Sequence, residues 1–361
     1  VSEIDKNGYF RRQPNHFTTP FGDGENDLKA EGNKRYRLVW AKLCHWSNRA
    51  AIVRELEGLE DQISVNMVEH APHEKNLGWE YVYNENNIDP MLGDQFLSEA
   101  YYRADDDYQG RTTVPALIDT TTGKVVNNDY NWLTTYFEVN FRPWHKKGAP
   151  ELYPVELREE IDKMNLWLFD NINNAVYRSS FSRSNEGHFD GVNTFYAAMD
   201  RLEKRLETNR FLFGDYVTDS DIRLYVTLAR LDIRYTAQLG ETKRPLYTYK
   251  NLWGYAKELW EIPAFAHHTD FAAIIRQGRI EGEEDGFRAS THYDLALPKI
   301  DWDAQWKVST ERAYLSSDPT HPIYLGNNRR FYIDPTWYDL GAESPKKEEK
   351  ETPPSCGCCC G

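Results

Sequence analysis

Residues 36–49 read YRLVWAKLCHWSNR, and the fold turns on this stretch. Leu38, Val39, Trp40 and Leu43 make a short apolar run that predicts a buried strand. From Ser47 to Leu59 the apolar residues Ala51, Ile52, Leu56 and Leu59 recur at helical spacing. Cys44 stands at the junction, where the first unpaired amides of the helix converge and the positive end of its dipole favours thiolate over thiol. It is the sole cysteine before residue 356, so the folded body offers it no disulfide partner. Two readings stay open on position alone: a reactive thiolate, or a small buried apolar residue.

Working outward, residues 1–33 are polar and turn-rich, with Pro14, Pro20, Gly22, Gly24 and Gly32, and predict an irregular arm over the first domain. After the helix, Ile63 to Glu69 is a second β-rich run, so strand, helix and strand form a βαβ unit with parallel strands. Residues 70–110 read as a long polar insertion; His70 and His73 lie in it, but no further ligands stand at zinc spacing, and no metal is expected. Thr113 to Asp119 then gives a short strand with Pro115 at its entry, the Thr121-Thr122-Gly123 turn follows, and Lys124 to Val126 returns as its partner. A helix through Trp132, Leu133, Tyr136 and Phe137 completes a β-α-β, β-β-α order over residues 34–140. That order is the thioredoxin type, with a cysteine after the first strand and Val114-Pro115 before the third.

Helices take over in residues 150–290. Pro154 to Asn174, Gly191 to Thr208 and Tyr249 to Trp260 carry apolar residues at helical spacing, and a short helix is expected near Phe271 to Ile275. Thr218-Asp219-Ser220-Asp221 resembles a capping box, and the helix it opens is apolar nearly all round, as a buried central helix would be. The fold class is therefore α+β, a thioredoxin-like domain followed by an all-helical one. Residues 291–340 read as an extension and 341–361 as a disordered tail, whose Cys356, Cys358, Cys359 and Cys360 stay unassigned. The formal charge of −14 argues against nucleic acid, and no apolar run approaches the roughly 20 residues of a membrane span. The N-terminal residues show no basic segment followed by an apolar one, so cytoplasm is the expected compartment.

Taken together these pieces resemble the glutathione transferase superfamily, and within it the Xi class of glutathionyl-hydroquinone reductases. The motifs are GYF-R near the start, CHWSNR at 44–49, GLEDQISV at 58–65, GWEY at 78–81, GRTTVPALID at 110–119, VVNND at 125–129, RFLFGDYVTDSDIRLYVTLARLD at 210–232 and IPAF at 262–265. The resemblance implies that Cys44 attacks the sulfur of a glutathionyl-hydroquinone, that a mixed disulfide forms, and that a second glutathione resolves it. Ser47, where a dithiol enzyme has its second cysteine, implies monothiol chemistry. Trp79 matches the tryptophan over bound glutathione, Arg111 a basic residue of that site, and Val114, before a cis Pro115, the backbone that pairs with the peptide. Tyr177 and, more weakly, Tyr235 match acceptor-pocket tyrosines, with packing around a satisfied hydroxyl as the alternative for each. The expected partners are small aromatic glutathione conjugates, with a homodimer implied.

The chain departs from the family pattern in three places. His45 replaces the usual proline after the cysteine; an imidazolium there lowers the Cys44 pKa further, or the ring faces solvent. Asp129-Tyr130 replaces the Glu-Ser pair that holds the γ-glutamyl end of glutathione. Arg279 stands where a second pocket tyrosine is expected. A related low-molecular-weight thiol therefore stays open as cosubstrate. An idle binding module and an omega-like thioltransferase stay open as alternative functions.

Overall fold

The computed structural model describes residues 3–70, 78–240, 244–276, 301–317, 319 and 321–323. His73, Arg279 and the tail cysteines lie outside them. Strand β1 (Tyr36–Trp40) pairs in parallel with β2 (Ile63–Met67), and helix α1 (His45–Leu56) makes the crossover. On its other side β1 runs antiparallel to β5 (Ala116–Asp119), which pairs with β6 (Lys124–Asn127), giving the order β2-β1-β5-β6. Alternation along the strands splits the core. Tyr36, Leu38 and Leu117 join the apolar cluster shared with the helical half; Val39, Ala116 and Ile118 face the cluster that holds Cys44, Trp79 and Val114.

Residues 70–110 are more ordered than a polar insertion suggests. The run after Met67 leaves the main sheet, and β3 (Glu69–His70) pairs with β4 (Trp79–Glu80) as a separate ribbon. A helix, α2 (Leu97–Ala104), follows, with Glu99 reaching back to accept from the Phe96 amide at 2.9 Å. Helix α3 (Leu133–Val139) closes this half.

The helical half holds α4 (Arg158–Leu168), α5 (Ala175–Phe181), α6 (Asn185–Arg205) and α7 (Asp219–Arg230), then α8 (Thr236–Gln238), α9 (Lys250–Trp260), α10 (Pro263–His267) and α11 (Phe271–Arg276). The predicted 154–174 helix is in fact α4 followed by a π-helical stretch, Phe169–Asn173, that leads into α5. All of α7 is buried, because it packs between α1, α4 and α9. At its start Asp221 accepts from the Thr218 amide (2.7 Å) and the Thr218 hydroxyl (2.8 Å). A second π-helical stretch, Leu231–Tyr235, ends α7. No helix among the described residues is long and apolar enough to cross a membrane.

Candidate active site

Cys44 is the N-cap of α1, in extended backbone conformation (φ −84°, ψ 116°), and no acidic residue stands in the first turn of that helix. Residues on three sides fix it there. Ser47 accepts from the Ala41 amide (3.1 Å) and donates to the Ala41 and Cys44 carbonyls (3.2 and 3.3 Å), so it ties the turn rather than facing the sulfur. The Cys44 Sγ lies 3.7 Å from the Val114 carbonyl oxygen, and the Val114–Pro115 peptide is cis. Arg230, at the end of α7, donates to the carbonyls of Leu43 and Lys42, each at 2.8 Å. It is fully buried with carbonyl and amide oxygens as acceptors, and burial pulls its pKa down.

The sulfur opens on a cavity of about 420 Å³, within the roughly 300–1,000 Å³ range of small-molecule sites. Trp79, Arg111, Val114 and Tyr130 line one side of it, and Tyr177 and Tyr235 come from the helical half. Trp79 is stacked on His70 (4.1 Å, 19°) and donates from Nε1 to the Thr112 carbonyl at 3.2 Å. Tyr130 packs on Trp46 (4.8 Å) and Phe169 (6.0 Å). Burial and the neighbouring Cys44 push the Tyr177 pKa upward, so its phenol stays protonated. Tyr235 is likewise held neutral, chiefly by burial, and its hydroxyl lies 3.0 Å from Nδ1 of His45.

Three expected site residues sit elsewhere. His45 is 1% exposed and forms no part of the cavity wall. Burial, reinforced by Arg230, Arg12, Arg49 and Arg234, holds its pKa well below 6.5. Both expectations for it, an imidazolium beside the sulfur and a solvent-facing ring, are thereby corrected. Asp129 also lies off the wall; its carboxylate accepts from Asn15 (2.9 Å) and from the Asn131 amide (2.9 Å), contacts that order the turn before α3. Pro115 is behind Val114 and does not line the cavity.

The arm expected over the first domain also builds the cavity wall, a role its local sequence did not show. Glu3, Phe10, Arg12 and Gln13 all line the cavity. Glu3 grips Arg111 through both carboxylate oxygens (2.9 and 3.1 Å), and Gln13 exchanges two hydrogen bonds with the Arg111 backbone. The GYF-R motif was the available signal; its partners lie too far along the chain for spacing to reveal them. Among the described residues no cluster of three or more His, Cys, Asp or Glu could hold a metal ion.

Comparison with known proteins agrees with this geometry. A family model described as the glutathione S-transferase C-terminal domain matches residues 175–258. Glutathione S-transferase omega-like 2 of Schizosaccharomyces pombe is 35% identical over 280 residues, 74% of this chain and 88% of the relative. Glutathionyl-hydroquinone reductase YqjG of Escherichia coli is 33% identical over 240 residues, 66% of this chain and 73% of its own. The glutathione-bound structure of that protein matches at a TM-score of 0.65 and 32% identity, covering 75% of this chain and 88% of the other. The glutathione S-transferase Xi of Phanerochaete chrysosporium matches at a TM-score of 0.68 and 33% identity, over 73% and 90% of the two chains. With relatedness of this degree across most of both chains, on top of the shared architecture, the chain belongs to the Xi class of the glutathione transferase superfamily.

Proposed function

We propose that this chain reduces glutathionyl-hydroquinones, using glutathione as cosubstrate and Cys44 as nucleophile. The observation that carries the reading is Cys44 at the N-terminus of α1, on the wall of a cavity lined by aromatic side chains from both halves. In the first step the Cys44 thiolate attacks the glutathionyl sulfur of the conjugate. The aryl carbon–sulfur bond breaks, its electron pair stays on the ring carbon, and that carbon takes a proton, giving the free hydroquinone. Cys44 is left as a mixed disulfide with glutathione. A second glutathione thiolate then attacks the glutathione sulfur of that disulfide, releasing oxidised glutathione and the Cys44 thiolate. The ring carbon is reduced, the thioether sulfur of the conjugate and the thiol of the second glutathione are oxidised to the disulfide, and Cys44 is regenerated, so the cycle balances.

The residues divide the work between two groups. Val114 offers backbone for strand-like pairing with the tripeptide, Trp79 covers it, and Arg111 stands near its carboxylates. Tyr177, kept protonated, donates to a phenolic oxygen and steadies the ring while charge develops. Tyr235 stands behind it, its hydroxyl engaged by His45. On this reading residues 34–140 bind the thiol and residues 150–290 the acceptor, in a cytoplasmic homodimer whose stoichiometry light scattering would read.

Intact-mass analysis after incubation with oxidised glutathione, followed by peptide mapping, tests the assignment. One glutathionyl adduct on Cys44, absent from Cys44→Ser, is expected; labelling confined to the tail cysteines overturns it. Comparing thioether cleavage with reduction of small mixed disulfides separates a hydroquinone reductase from an omega-like thioltransferase.

A further inference from the structure

In a chain of formal charge −14, the cavity runs against the balance. Its wall carries Arg12, Arg111, Arg183 and Arg234 and one carboxylate, Glu3. Glu3 is spent on Arg111. Of the remaining arginines, Arg12 lies against Tyr177 and Arg234 adjoins Tyr235 in the chain.

Arg12 is held there with unusual definition. Its guanidinium carbon lies 4.4 Å from the Trp46 ring centroid and 4.4 Å from that of Tyr177, and those centroids are 5.8 Å apart, so the two rings form a corner against which it rests. Its Nε donates to Asn174 Oδ1 at 2.9 Å. Its Nη2 is buried and, among the described residues, has no hydrogen-bond partner. A buried guanidinium N–H left unpaired is costly, and an acceptor oxygen in the plane of the fork removes that cost. Arg234 adds a second charge. It is half-buried on the cavity wall, next to Tyr235 in the π-helical turn, and among the described residues it has no hydrogen-bond or ion-pair partner.

Resting on the hydroquinone-reductase reading, we propose that Arg12 and Arg234 form an anion site on the acceptor side, selecting aromatic acceptors that carry a ring carboxylate. A planar guanidinium fork matches a carboxylate in shape as well as charge, and the corner of rings limits where that fork can point. The peptide's own carboxylates are the competing source of the anion. They are expected beside Arg111, Trp79 and Val114; because the Arg12 guanidinium also lies 5.7 Å from the Tyr130 ring, binding measured with glutathione in place separates the two sources.

Calorimetric titration of the full chain, with glutathione saturating, compares 4-hydroxybenzoate with 4-methylphenol, which differ in carboxylate against methyl. The carboxylate should bind roughly tenfold more tightly, and the preference should shrink as salt is added. Arg234→Gln should erode the preference, and the Arg12→Gln, Arg234→Gln double variant should abolish it. Among the described residues the Arg234 side chain has no hydrogen-bond partner, so its substitution tests the site even if Arg12→Gln disturbs the arm. Equal binding of the two rings by the wild type overturns the proposal, as does a preference that survives the double variant. A preference seen only without glutathione also overturns it, since the arginines then serve the peptide. If the preference stands but neither neutral nor carboxylated glutathione conjugates are cleaved, the reductase reading falls and the anion site remains.

Discussion

His45 and Arg230 flank the same sulfur and carry opposite lessons about charge. The imidazole is sealed among arginines and helix α7, so it stays neutral when folded and takes a proton near pH 6.5 when unfolded. The unfolded state therefore binds more protons below that pH, and stability should fall as the solution is acidified through it, by up to about 1.4 kcal/mol per pH unit. Denaturant unfolding of wild type and His45→Gln at about pH 5 and about pH 7.5 checks this; the variant should lack that part of the slope. Arg230 keeps its charge because carbonyl oxygens on the loop before Cys44 accept its hydrogen bonds. Arg230→Met would strand the Leu43 and Lys42 carbonyls in a dry interior and should cost about 3 kcal/mol in urea unfolding. It should also slow alkylation of Cys44 by iodoacetamide, because the turn that presents the sulfur loses its anchor. A substitution that kept both stability and rate would show that the loop holds itself.

At the scale of elements, local chemistry was readable wherever cap and period agreed. The Thr218–Asp221 start of α7 is the best case, since Asp221 collects the Thr218 amide and hydroxyl, the Leu212 amide (2.9 Å) and the Tyr255 hydroxyl (2.8 Å). Four donors left facing a methyl group in Asp221→Ala should cost about 3–5 kcal/mol, read as a drop in the unfolding midpoint. Asp221→Asn should lose less, since one amide oxygen still accepts. Other elements were hidden for stated reasons. Helix α2 begins after Phe96, whose side chain cannot cap, so the only local sign of it was Glu99. Helix α5 begins where the expected 154–174 helix ends; the π-helical turn carries the chain through Asn171, Asn173 and Asn174, with Asn173 donating to the Arg223 carbonyl and the Thr227 hydroxyl at 2.8 Å. Ile63 to Glu69 reads as one strand, but pairing with β1 ends at Met67 and the chain turns to meet β4.

Across the whole molecule, the arm links the two halves around the cavity. It reaches Arg111 and Asp129 on the thioredoxin-like side through Glu3 and Asn15. On the helical side Arg12 donates to Asn174 (2.9 Å), and the Phe10 amide donates to Ser182 Oγ (3.1 Å). Deleting residues 3–15 should leave both halves folded by circular dichroism, since their apolar clusters draw little from the arm. The same deletion should shift Trp46 emission to the red and raise the acceptor KM roughly tenfold, as a wall of the site is lost. Unchanged KM would make the arm a bystander.

The strand–cysteine–helix junction, the α+β order and the buried helix α7 were legible in the chain alone. Each follows from periodicity and capping within about a dozen residues, where neighbours along the chain are neighbours in space. That His45 is neutral, that Asp129 serves the arm and that Arg12 joins the cavity emerged from the folded packing. Those outcomes depend on burial and on partners such as Asn174, 162 residues from Arg12. Protonation and access are set by what packs around a group, and no local pattern encodes that.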